Sequence, residues 1–141
     1  MTRIDFHSNV PDKLNYTCRL IRKASAANCK IVVFDSDTAQ LDLLNQALWT
    51  FSETDFLPHV MQDDALAPQT PVILTHDAGL PLPHHQLLIN LCAVTPAHFD
   101  QFERMIEVIA TDQAATLAGR ERYRHYQQLG HALSHTPVKS T

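Results

Sequence analysis

Apolar and polar positions follow two different periods along the first third of the chain. Ile4 and Phe6 alternate with polar neighbours, which predicts a short strand around Arg3 to His7. Ser8, Asn9 and Pro11 then interrupt the pattern. Leu14, Cys18, Ile21 and Ser25 recur at helical spacing and predict a helix from about Pro11 to Ala27, with Lys13, Arg19, Arg22 and Lys23 on its solvated side. Ile31-Val32-Val33-Phe34 is an unbroken β-branched and aromatic run, the pattern of a strand buried on both faces and expected at the centre of a sheet. Asp37 followed by Gln40 suits a helix cap, and Leu41, Leu44 and Leu48 mark one face of a helix ending near Trp49. Strand, helix, strand, helix in this order predicts a parallel α/β sheet with right-handed crossovers.

Beyond Trp49 the pattern loosens. Phe56, Leu57, His59 and Val60 predict a third strand, which Pro58 confines to an edge or a strand start. A loop follows, and Val72-Ile73-Leu74-Thr75 and Leu87 to Cys92 predict two more strands around a loop holding Gly79, Pro81 and Pro83. Thr95-Pro96 reads as a helix start, with Phe99, Phe102, Ile106 and Ile109 as its apolar stripe. A last helix opens near Thr111 and Asp112 and stops before Gly130, a suitable residue just past a helix end. The expected fold is a single α/β domain over residues 1–130, with a mixed, mostly parallel sheet of about five strands flanked by helices. Residues 131–141 are expected to form a loose tail.

Composition narrows the function. With 141 residues, 45% of them hydrophobic, the chain suits one domain that buries roughly two-thirds of its unfolded surface. A net charge of -4 argues against direct nucleic-acid binding, which depends on many Lys and Arg neutralising phosphates. Cys18, Cys29 and Cys92 are odd in number and lack CxxC spacing, so they read as reduced packing residues of a cytoplasmic protein. No apolar run approaches a membrane span and the first residues lack an apolar signal region, so a soluble protein with no membrane contact is expected. Glycine occurs only at Gly79, Gly119 and Gly130, too sparse for a phosphate-cradling nucleotide loop. His84 and His85 are adjacent, and His131 and His135 lie four apart, without the further ligands a zinc site needs. No cofactor or metal is expected.

One enzymatic pattern stands out. The apolar strand ending in Asp35-Ser36-Asp37-Thr38 resembles the first motif of haloacid-dehalogenase-type phosphotransferases, in which the first Asp attacks phosphorus and the second serves as acid and base beside magnesium. That chemistry also needs a later Lys or Arg and a later acidic pair. Between Ile31 and Glu103 there is no Lys or Arg at all, and helix capping accounts for both Asp residues equally well. A small magnesium-dependent phosphatase therefore stays as the alternative.

The last helix carries the cations that the middle of the chain lacks. Arg120, Tyr123 and Arg124 fall at i, i+3 and i+4 and share one face, while Arg122, Tyr126 and Leu129 share another. Two guanidiniums flanking a phenol can grip a carboxylate while the ring packs an apolar side chain.

Taken in order, Ala47-Leu48-Trp49, Phe56-Leu57-Pro58-His59 and Gly119-Arg120-Glu121-Arg122-Tyr123-Arg124-x-Tyr126 resemble the chi subunit family of bacterial DNA polymerase III holoenzyme. The resemblance spans most of the chain, from the first strand to Gly130. It implies a Rossmann-like fold without nucleotide chemistry and a non-catalytic accessory role in DNA replication. It also implies two partners: the psi subunit, which joins the family to the clamp loader, and the acidic C-terminal tail of single-stranded-DNA-binding protein. Carried over residue by residue, Arg120, Tyr123 and Arg124 match the tail-binding helix and Ile109 an apolar wall of the same pocket. Trp49 and Phe56 match the surface for psi, though core packing is the competing reading for both. Thr116 departs from the family, which can have a basic residue there. Such a protein would sit in the cytoplasm, associated with the nucleoid through the replisome.

Overall fold

A computed structural model describes residues 2–50, 59–61, 70–79 and 82–138. β1 (Arg3–Val10) leads into α1 (Lys13–Ala26), whose start is fixed by the Asp12 carboxylate accepting from the Asn15 N–H at 3.1 Å. β2 (Ile31–Phe34) is buried at every position, as its unbroken apolar run requires. α2 (Thr38–Thr50) begins where Asp37 Oδ1 accepts from the N–H groups of Ala39 and Gln40. β3 (His59–Met61), β4 (Val72–Thr75) and β5 (Leu87–Asn90) follow, then a 3₁₀ turn at Phe99–Gln101. β6 (Arg104–Ala110), α3 (Gln113–Gln128) and β7 (Ala132–Pro137) complete the order.

The strands lie side by side as β3-β4-β2-β5-β6-β1-β7, and every pairing is parallel. β5 occupies the centre, with β2 beside it. Because side chains alternate along a strand, each strand feeds two cores. Ile31 and Val33 pack with Cys18 and Ile21 of α1 and with Leu41, Leu44 and Leu48 of α2. Val32 and Phe34 point the other way, into a cluster with Phe6, Phe99, Phe102, Ile109 and Tyr126. α1 and α2 therefore cover one face of the sheet and α3 covers the other.

Several expectations change. Among the described residues the mostly parallel sheet of about five strands is a sheet of seven, with every pairing parallel. The helix expected after Thr95-Pro96 is instead a single 3₁₀ turn followed by β6. Ile106 and Ile109, read as one stripe, point to opposite faces of the sheet. Their helical spacing hid a strand because a charged residue, Glu107, interrupts the apolar run Met105-Ile106-x-Val108-Ile109, yet Glu107 is fully buried. Residues 132–137 are not a loose tail. They form β7, paired with β1 from Arg3↔Ala132 to Ser8↔Pro137, and the Val138 N–H extends the contact to the Ser8 carbonyl at 2.8 Å. The open edge of β1 supplies the backbone partners that this polar segment could not announce through apolar side chains. Ser134 also donates to the Asp5 carboxylate, which Arg104 Nε holds from the other side at 2.8 Å. β3 lies at the opposite edge, and of the strand expected from Phe56, Leu57, His59 and Val60 the described part is His59 and Val60, while Phe56 to Pro58 lie outside the described residues.

Candidate functional site

α3 is positioned by one cap, one glycine and one buried polar network. Asp112 accepts from the Ala115 N–H at 3.0 Å and starts the helix. Gly119 then lies against Ile109 of β6 so closely that a Cβ would come within 2.9 Å of Ile109 Cδ1 and 3.3 Å of Cγ1. The missing side chain lets the helix settle onto the strand. Gly130, with φ +86°, follows the C-cap Leu129 and turns the chain into β7.

Glu107 is the anchor of the network. Its carboxylate accepts from Arg122 Nε at 3.0 Å and Nη2 at 3.2 Å, from the Tyr126 hydroxyl at 2.7 Å and from Asn90 Nδ2 at 2.8 Å. Arg122 Nη1 also donates to the Ala93 carbonyl at 2.6 Å. Burial pushes the Glu107 carboxyl up, while Arg122 and the hydrogen bonds from Tyr126 and Asn90 pull it down. The Tyr126 phenol is pushed up by burial and by the neighbouring Glu107 carboxylate. Arg122 and Tyr126 thus face inward and hold α3 to β6. Leu129, expected on their face, is exposed at the helix end.

The outer flank of the same helix borders a pocket of about 320 Å³ where α3 passes β6, β1 and β7. Phe6, Ile109 and Gly119 give it an apolar floor, and the half-buried Tyr123 ring meets Phe6 edge-on with centroids 5.1 Å apart. Arg120 and Arg124 are exposed at the rim, with Thr116, Ser8 and His135 completing the wall. Ile109, Arg120, Tyr123 and Arg124, singled out from the sequence, therefore line one pocket. Phe6, Ser8, Gly119 and His135 also line it and were not assigned to it from the sequence. His135 and Ser8 enter only because β7 pairs with β1, a pairing that no apolar pattern signalled. Chemically, an apolar concavity beside two guanidiniums can take an apolar side chain and a carboxylate together.

Trp49 stands on the other side of the molecule's sheet order, at the end of α2 near edge strand β3. It is 52% exposed, and its ring centroid lies 4.4 Å from that of the buried His59. Core packing does not describe Trp49, and Phe56 lies outside the described residues. Asp35 and Asp37 act on the backbone. Asp35 Oδ1 accepts from the Asp37 N–H at 3.0 Å, and Asp37 caps α2. Among the described residues no group of three or more His, Cys, Asp or Glu side chains could hold a metal ion, and no helix is long and apolar enough to cross a membrane.

Residues 1–134 match the family model described as DNA polymerase III chi subunit, HolC. A protein of Pseudomonas aeruginosa named DNA polymerase III subunit chi is 33% identical, with 94% of each chain covered. A Haemophilus influenzae protein of the same name is 26% identical over 83% of this chain and 81% of its own length. Among solved structures, the C-terminal domain of Saccharomyces cerevisiae Dbp5, bound to Gle1 and IP6, superposes with a TM-score of 0.61. It covers 99% of this chain and 92% of that one at 9% identity, so the likeness concerns the α/β fold alone.

Proposed function

This chain belongs to the DNA polymerase III chi subunit family, and from that premise we propose that it serves DNA replication as a non-catalytic accessory subunit that binds the acidic C-terminal tail of single-stranded-DNA-binding protein. The observation that carries the proposal is the joint placement of Ile109, Arg120, Tyr123 and Arg124 around one pocket. In this arrangement the apolar end of the tail enters between Phe6, Ile109 and Tyr123, and the two Arg side chains meet its carboxylates. The contact is with the coating protein and not with the DNA, in keeping with the acidic net charge of -4. The exposed Trp49 belongs to the surface that pairs with the psi subunit and so reaches the clamp loader, and Phe56, outside the described residues, is assigned to the same partner. Occupying opposite edges of the sheet, the two surfaces can be engaged at once, which is what a tether between a replicase and coated single strands requires. The protein works in the cytoplasm, brought to the nucleoid by these partners.

Isothermal titration with a synthetic acidic peptide ending in Asp-Ile-Pro-Phe tests the proposal, beside a control peptide lacking the terminal Phe. The expected result is binding that weakens with salt and requires the Phe. Absence of binding at low salt would refute it. No observation favours the phosphatase reading, since Asp35 and Asp37 are both occupied in shaping the turn and capping α2.

A further inference from the structure

β7 brings one titratable side chain to the wall of the α3 pocket. His135 pairs in register with Phe6 of β1, and its Nε2 lies 2.5 Å from Ser8 Oγ, which fixes the ring beside the apolar floor. From α3 the charged and titratable groups lining the same pocket are Arg120, Arg124 and the Tyr123 phenol, and from β1 the neighbour is the neutral Ser8 hydroxyl. Ser134 and Thr136 alternate to the other side of the strand, where Asp5 and Arg104 lie. Among the described residues no carboxylate lines the pocket.

We infer that His135 is a third, pH-dependent contact for the carboxylates of an acidic peptide bound in this pocket. The inference rests on the tail-binding reading above. Thr116 and His135 line the same pocket as Arg120 and Arg124, His135 from a different element. A carboxylate beside the ring favours the imidazolium, so binding takes up a proton and tightens as pH falls. Arg120 and Arg124 stay charged across this range, and the peptide carboxylates stay ionised above about pH 5, so neither produces the slope.

The test is titration of the full chain with the peptide ending in Asp-Ile-Pro-Phe at about pH 8, 7 and 6, where unperturbed histidine changes charge. Buffers of different ionisation enthalpy report proton uptake in the same experiments. The wild-type chain should bind roughly two- to fivefold more tightly at the lowest pH, the size of a solvent-accessible ion pair, with net proton uptake near the midpoint. His135→Gln should bind with little pH dependence and lose that uptake. His135→Arg should bind at the highest pH as tightly as the wild type does at the lowest. A slope unchanged in His135→Gln, or no slope in the wild type, overturns the role of His135 while leaving the pocket reading intact. Absence of peptide binding at every pH overturns both. Thermal melts of the two variants should match the wild type, because His135 lies on an exposed edge strand.

Discussion

Glu107 of β6 and Arg122 of α3 meet in a two-pronged ion pair, Nε to Oε2 at 3.0 Å and Nη2 to Oε1 at 3.2 Å, inside the protein. The carboxylate is fully buried and the guanidinium nearly so. Arg122→Ala leaves a buried carboxylate without its counter-charge, which should cost about 3 to 5 kcal/mol of unfolding free energy. Urea denaturation measures it. Tail binding should fall as well, because the helix that carries Arg120 and Arg124 loses its anchor.

Arg120→Ala should behave in the opposite way. Its side chain is exposed at the pocket rim, so stability should stay within about 0.5 kcal/mol of wild type. Tail affinity should drop by roughly 1.5 to 3 kcal/mol, about tenfold to over a hundredfold, through loss of a charge-assisted hydrogen bond. Parallel titration and denaturation of the two Arg variants separate the gripping residue from the anchoring one.

Gly119→Ala probes the pocket floor. The added methyl would press on Ile109 at 2.9 Å, and Ile109 must turn away into the pocket region it lines. Alanine's helix propensity offsets part of the strain, by up to about 1 kcal/mol. The expected outcome is a small change in melting temperature and a clear loss of peptide affinity. A large loss of stability with wild-type affinity would place the close contact outside the binding surface.

Trp49 is the sole tryptophan of the chain, so its fluorescence reports one site. Since the side chain is half-exposed, iodide should quench it in the isolated protein. Adding the psi partner should shield it and shift the emission to shorter wavelength. Quenching that is unaffected by a bound psi partner would remove Trp49 from that interface.

Asp5 links β7 to the sheet and should make that link sensitive to acid. Burial raises its carboxyl, but hydrogen bonds from Ser134 and Arg104 and the charges of Arg104 and Arg3 outweigh this and hold it below its ordinary 3.8. A carboxyl lowered in the folded state contributes stability above its unfolded value, and that contribution is lost as pH falls through the folded one. Asp5→Asn should therefore be less stable than wild type at neutral pH, and the difference should shrink as pH falls below 3.8 and through the lowered folded-state value. Denaturation midpoints across this range test the sign.

How much of this could be read from the sequence depended on where each element's stability comes from. β2, α1 and α2 depend on apolar side chains at regular spacing, and those spacings were plain, while α3 was bounded by Asp112 and Gly130. So was the shared face of Arg120, Tyr123 and Arg124, because helical periodicity fixes it locally. β6 was misread because Glu107 interrupts its apolar run, and the residues that satisfy it come from β5 and α3. β7 left no pattern because this mostly exposed strand is held by backbone pairing to β1 and by Ser134 on Asp5, residues far apart in sequence. Phe6, Gly119 and His135 entered the pocket for the same reason. Each is placed there by a long-range packing or pairing that single-sequence periodicity does not encode.

The most direct test is an NMR experiment on the complex with the peptide ending in Asp-Ile-Pro-Phe, using a methyl-labelled chain and looking for contacts from the terminal Phe ring. Nuclear Overhauser effects to the Ile109 methyls and to Tyr123 are expected, with the Arg120 and Arg124 side-chain signals shifting on binding. Contacts confined to the α2 end around Trp49, with the Ile109 methyls unperturbed, would contradict it.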